Sequence, residues 1–160
     1  MYLCFFRRKK LDNRVLGDFY MNWNVSNKYR GQYFTPFHIA ELMANITGEK
    51  RGMIYDPTCG SGVMLIASAK NMKIENIWQS IFIGQDVDLI CVKMCALNLC
   101  FYNLDGYAIW GNTLAGECDR VYETKRTYLG GDIRELKGEE LEKFKNKMYP
   151  KIKEKQLSLL

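Results

Sequence analysis

A chain of 160 residues with 48% hydrophobic and 26% charged side chains holds enough apolar material for one core of ordinary domain size and leaves no room for a second. That composition excludes a wholly disordered polymer. The formal charge of +5 sits in residues 1–30, which carry seven Lys or Arg against two Asp or Glu, while residues 31–160 carry sixteen of each. A basic arm of this kind suits phosphate or another acidic surface.

The arm comes first in the chain. Its apolar run spans only Tyr2 to Phe6 before Arg7, Arg8, Lys9 and Lys10, far short of the ~20 residues a bilayer span requires. Neither a membrane helix nor a secretory leader is expected. Without a leader, the six cysteines (Cys4, Cys59, Cys91, Cys95, Cys100 and Cys118) read as reduced thiols of a cytoplasmic protein. Cys91 and Cys95 share a helix face, but zinc sites draw His or Cys pairs from two turns, and His38 is the sole histidine. Buried apolar thiols are the better account.

From residue 35 the hydrophobic pattern is regular. Thr35 is expected to cap a helix with Pro36 in its first position, Ile39, Leu42, Met43 and Ile46 at helical spacing, and Gly48 as its stop. Met53, Ile54 and Tyr55 predict a short strand that runs into the loop 56–62, after which Val63 to Met72 resumes helical spacing. The unit repeats. Ile81, Phe82 and Ile83 predict a second strand, and Asp88 caps a helix through Leu89, Val92, Met94, Leu97 and Leu99 that Gly106 is expected to close. A third strand is expected over Tyr107 to Trp110. Strand, helix, strand, helix, strand is the signature of a parallel α/β sheet wound with helices. Residues 117–137 suit a hairpin about Gly130 and Gly131, and from Gly138 a surface helix with Leu141, Phe144 and Met148 on one stripe runs to Pro150.

The loop Asp56-Pro57-Thr58-Cys59-Gly60-Ser61-Gly62 stands at the carboxyl end of the first strand, where doubly wound folds bind nucleotides. Glycines at 60 and 62 permit positive φ and a close backbone approach. The loop has no Lys or Arg for a pyrophosphate, and Val63 and Met64 follow Gly62 where a phosphate-binding loop would place Lys and Ser or Thr. With Asp56 at its mouth, the expected ligand is a nucleoside bearing positive charge. Asp86, 24 residues after Gly62 and at the end of the second strand, is placed to accept both ribose hydroxyls.

Taken in order, Gly31-Gln32-Tyr33-Phe34-Thr35-Pro36, the 56–62 loop, Gly84-Gln85-Asp86 and Gly111-Asn112-Thr113-Leu114 resemble the S-adenosylmethionine-binding half of N6-adenine DNA methyltransferases. They are most similar to the modification subunits of type I restriction systems. The resemblance implies a partial doubly wound, Rossmann-like class I methyltransferase fold. It divides the chain into the basic arm 1–30, a cofactor-binding domain 31–137 and a charged C-terminal helix 138–160. It also implies roles: Phe34, Thr35 and Pro36 at the methionine end of S-adenosylmethionine, Asp56 toward its ammonium and sulfonium, Gly60 for close passage, Asp86 on the ribose, Val87 on the adenine face and Asn112 at the adenine edge.

One element of that family pattern is missing. Its enzymes carry Asn, Asp or Ser followed by two prolines and an aromatic, which grip the target amino group and stack on the flipped base. Prolines occur here only at 36, 57 and 150, so the expected catalytic residues are none. The 46 residues after Leu114 are also too few for a specificity domain. Three readings follow. The first is a cofactor-binding relative that works with a partner methyltransferase or specificity subunit, or as a homodimer through an open sheet edge. The second is an active DNA adenine methyltransferase with a substitute motif, and the third a nucleic-acid-binding module run by the basic arm.

Overall fold

The computed structural model describes residues 35–48 and 51–149. The basic arm, Phe34 and residues 150–160 lie outside them. In chain order the elements are α1 (Phe37–Thr47), β1 (Met53–Asp56), α2 (Val63–Lys70), α3 (Ile74–Trp78), β2 (Ile81–Asp86), α4 (Leu89–Phe101), β3 (Gly106–Trp110), β4 (Arg120–Arg126), β5 (Gly131–Glu135) and α5 (Gly138–Met148).

The strands lie side by side in chain order as a five-stranded sheet. β1, β2 and β3 are parallel, with Tyr55 opposite Ile83 and Asp86 opposite Trp110. Helices make each crossover between them, as parallel neighbours require. β4 and β5 then run antiparallel on the far side of β3. The segment after Leu114 therefore forms the expected hairpin and covers the β3 edge, which leaves β1 and β5 as the sheet's outer strands.

Alternation along the strands feeds two cores. Phe82 and Ala108 meet Leu65, Val92, Cys95 and Leu99 of α2 and α4 on one face. Ile83, Ile109 and Val121 meet Phe144 of α5 on the other. Phe82, Leu65 and Leu99 are at most 1% exposed, and full burial of such a side chain is worth about 1.5–3 kcal/mol. The stripe read on α5 holds: Phe144 is buried, with Leu141 and Met148 packed beside it.

Four local expectations change. Thr35 does not cap α1: the cap position falls on Pro36, with no side-chain cap bond, because the Pro36 carbonyl already receives the Ile39 and Ala40 amides. α1 also turns the unexpected face inward. Ala40 and Ala44 pack on Ala67 of α2, since small side chains permit close helix approach, while Ile39, Leu42, Met43 and Ile46 are exposed. Gly106 opens β3 instead of closing α4, whose chain reverses at Asn103 with φ 52°, a conformation Asn tolerates. A Cβ on Gly106 would stand 2.1 Å from the Phe82 carbonyl oxygen, so tight strand pairing explains that glycine. Lastly, the short helix α3 falls in a stretch where no helix is expected. Gly48 and Asp88 act as read: Gly48 ends α1 with φ 74°, and the Asp88 carboxylate accepts the Ile90 amide at 2.8 Å.

Candidate functional site

The parallel strands end together, at Asp56, Asp86 and Trp110, and in open α/β sheets ligands bind outside such carboxyl ends. The loop after β1 bends there as its glycines predict. Gly60 has φ 52° and Gly62 φ 83°, both in the region that favours glycine. The Cys59 amide donates to the Gln85 carbonyl at 2.9 Å and the Gly62 amide to the Cys59 carbonyl at 2.7 Å, so the loop is fastened to β2. A Cβ on Gly62 would stand 2.8 Å from the Cys95 sulfur, so α4 packs directly beneath it.

Two carboxylates face this loop. Asp86 accepts the Gly60 amide on Oδ2 at 2.9 Å and the Asp88 amide on Oδ1 at 2.9 Å. Each oxygen keeps a second lone pair for a further donor. Asp56 accepts the Thr58 amide at 3.2 Å. Burial above all, helped by the charge of Asp86, holds the Asp56 carboxyl above the ordinary carboxylate value, against the lowering effect of the Thr58 amide. Such a pair disfavours a second anion and favours a cation between them.

A cleft of about 410 Å³ opens beside the loop, walled by Thr35, Met43, Asp56, Gly60 and Met64 among others. That volume lies in the range of small-molecule sites, roughly 300–1,000 Å³. None of the described residues lining it is Lys or Arg. Thr35, Asp56 and Gly60 are thus brought together in one wall. Pro36 stands just behind, at the start of α1. Asp86, at the end of β2, Val87 just after it and Asn112, after β3, are not among the residues that wall the cleft. Val87 is 58% exposed, and its carbonyl accepts the Trp110 indole N–H at 3.0 Å. Asn112 lies on the loop after β3, where its Oδ1 accepts the Leu114 amide at 3.0 Å. That bond fixes which end of the amide is oxygen and which is nitrogen, and Oδ1 keeps a second lone pair beside the two donors of the amide nitrogen.

Thr113, Tyr55, Gln85 and Trp110, which the sequence placed in motifs or strands without a role of their own, also shape the site. Thr113 Oγ1 donates to the Pro57 carbonyl at 2.7 Å, joining the loop after β3 to the loop after β1. Tyr55 donates its hydroxyl to Gln85 Oε1 at 2.7 Å. Period-two alternation puts Tyr55 with Met53, and Gln85 with Ile83, on one sheet face, which is the signal that identifies the pair once the strand register is known.

The parallel strands, their crossover helices and the glycine bend at the strand ends define a partial doubly wound fold of the class I methyltransferase kind. Residues 12–127 match the family model described as N-6 DNA Methylase, and the chain belongs to that family. It is 30% identical over 113 residues to the type I restriction enzyme MpnII methylase subunit of Mycoplasma pneumoniae, covering 66% of this chain and 20% of that protein. Two methylase subunits of Methanocaldococcus jannaschii are each 31% identical, those of the type I restriction enzymes MjaIX and MjaVII, with 51% and 60% of this chain and 15% and 18% of theirs. The chain therefore spans a fifth or less of the length of these relatives. No solved structure matches it.

Proposed function

We propose that the chain is an S-adenosylmethionine-binding domain of the N6-adenine DNA methyltransferase kind, without independent catalysis. The observation that carries this reading is the convergence of Asp56 and Asp86 on the Gly60 bend. Asp56 on the cleft wall, Asp86 on the adjoining glycine loop and no Lys or Arg among the described lining residues suit a ligand with a sulfonium and an ammonium, and they repel a phosphate.

On this reading Phe34, Thr35, Pro36 and Asp56 meet the methionine end, and Gly60 lets the backbone pass close to the ligand. Asp86 accepts the ribose hydroxyls with its remaining lone pairs, and Val87 supplies an apolar face for the adenine. Asn112, its amide oriented by the Leu114 bond to Oδ1, donates to a ring nitrogen of adenine and has a lone pair left on Oδ1 for the exocyclic amine. When bound, the cofactor supplies an electrophilic methyl group. The residues that would grip a flipped adenine are proposed to lie outside these 160 residues, because the isolated prolines at 36, 57 and 150 make no Pro-Pro-aromatic motif.

DNA is the proposed substrate, and the basic arm its proposed contact. Among the described residues no helix is long and apolar enough to cross a membrane. The test pairs two measurements on the full chain: equilibrium dialysis against S-adenosylmethionine carrying a labelled methyl group, and transfer of that label to DNA. Retention of label by the protein with none on DNA is expected. Label on DNA would establish an independent enzyme, and no retention would remove the cofactor.

A further inference from the structure

Gln85 is fully buried, at 0% exposure, on the sheet face that α5 covers, and every hydrogen-bonding position of its amide is filled. Its Oε1 accepts the hydroxyls of Tyr55 and Tyr149, each at 2.7 Å. Its Nε2 donates to the carbonyls of Gly111 at 3.2 Å and Glu117 at 2.8 Å. Gly111 and Glu117 are the two ends of the loop that carries Asn112. They run in contact, since a Cβ on Gly111 would stand 2.3 Å from the Glu117 carbonyl oxygen. The loop closes on itself through the Glu117 amide and the Asn112 carbonyl at 2.9 Å, and Thr113 ties it to the glycine loop.

We infer that Gln85 is the positioning residue for purine selectivity: by clamping both ends of the 111–117 loop, with Tyr55 and Tyr149 holding the clamp, it fixes where Asn112 presents its amide. The purine part of this inference rests on the proposed adenosine-bearing cofactor, whereas the clamp itself does not. The chemistry follows from the orientation of the Asn112 amide: the Leu114 amide holds Oδ1, so the oxygen and nitrogen ends cannot exchange to suit a purine with the reverse donor pattern. An amide N–H donates well to N1 of adenine, which has a lone pair, and not to N1 of hypoxanthine, which carries a proton. A loop held in place favours adenosine over inosine, and a loose loop does not distinguish them. Tyr149, at the end of α5 and 64 residues from Gln85, thereby makes the C-terminal helix part of the site.

The test uses the full chain and three variants, Gln85→Met, Gln85→Glu and Tyr149→Phe, with two readouts. The first is amide hydrogen exchange of the ligand-free protein. Gln85→Met is expected to speed exchange across residues 112–117 about tenfold or more, with β2 and β3 unaffected. Gln85→Glu keeps an acceptor for the tyrosines but repels the two carbonyls, so it loosens the same loop; Tyr149→Phe gives a smaller effect in the same place. The second readout is the ratio of adenosine to inosine affinity by calorimetry, which is expected to fall toward one in Gln85→Met and Gln85→Glu.

Unchanged exchange in residues 112–117 would overturn the clamp, whether or not any nucleoside binds. Faster exchange with an unchanged adenosine preference would overturn the selectivity role and leave Gln85 a packing residue. If Gln85→Met fails to fold, Gln85→Glu and Tyr149→Phe decide by the same measures. Failure of the wild-type chain to bind adenosine or S-adenosylmethionine would reject the cofactor reading and the selectivity role with it, while the exchange result still decides the clamp.

Discussion

The carboxylate of Asp86 and the amide of Gly60, 26 residues apart in the chain, meet across 2.9 Å. This bond sets the bend of the glycine loop against the end of β2, and it directs an acidic group into the place where a nucleoside would lie. The same side chain takes the Asp88 amide, so it organises the start of α4 as well.

Asp86→Ala therefore leaves two backbone donors without their acceptor. The ligand-free fold is expected to lose about 1–3 kcal/mol in urea unfolding. Asp86→Asn keeps an acceptor oxygen and is expected to lose less. Equal stability of all three proteins would show that the bond contributes nothing to the loop.

Asp56 predicts the opposite sign. Its folded value is raised above the reference 3.8, so the folded protein binds that proton more tightly than the unfolded chain. The stabilising contribution is complete below pH 3.8 and is lost as pH rises through the folded value. At pH 7 the ionised group is a burden on the ligand-free fold. Asp56→Asn is expected to raise stability there by roughly 0.5–1 kcal/mol, the scale of one partly solvated charge interaction, and the gain should shrink as pH falls toward 4. Lower stability of this variant at pH 7 would contradict the electrostatic account of the cleft.

Much of this arrangement is readable from residue order alone. The loop 56–62, Asp88 as a cap, Gly48 as a stop and the strands before and after α4 all carry local signals, because glycine, capping side chains and apolar runs act over a few residues. α3 has only five residues and no side-chain cap bond, so nothing local marks it. The inward face of α1 is equally hidden, since Ala40 and Ala44 win burial through close packing on Ala67, a tertiary fact that the larger Ile39, Leu42, Met43 and Ile46 obscure. The Tyr55–Gln85–Tyr149 cluster joins residues 30 and 64 positions apart and becomes visible only with the sheet register.

Gly84 offers a packing test. A Cβ there would stand 2.7 Å from the Cys95 sulfur and 2.9 Å from the Cys59 sulfur, both on short side chains in a closed core. Gly84→Ala is expected to cost about 1–3 kcal/mol, the range for overpacking. Adding Cys95→Ala should recover part of that loss in a double-mutant cycle. Strict additivity of the two changes would place the conflict elsewhere.

The thiols give a chemical readout of the same core. Burial pushes Cys91 up to about 12 and, as the main cause, Cys118 up to about 11, so at pH 8 the thiolate fraction of each is on the order of one in a thousand or less. Iodoacetamide at pH 8 is expected to label Cys100 first among the described cysteines, since it alone of the five is not buried. The others should label at the rate of unfolding. Fast native-state labelling of Cys91 or Cys95 would contradict the packing of α4 beneath the glycine loop.

The most direct measurement is titration calorimetry of the wild-type chain and Asp86→Ala with S-adenosylmethionine. The account predicts saturable one-to-one binding by the wild type, weakened by about 1–3 kcal/mol in the variant through loss of a polar partner. Absence of wild-type binding, or equal affinity of both proteins, would contradict it.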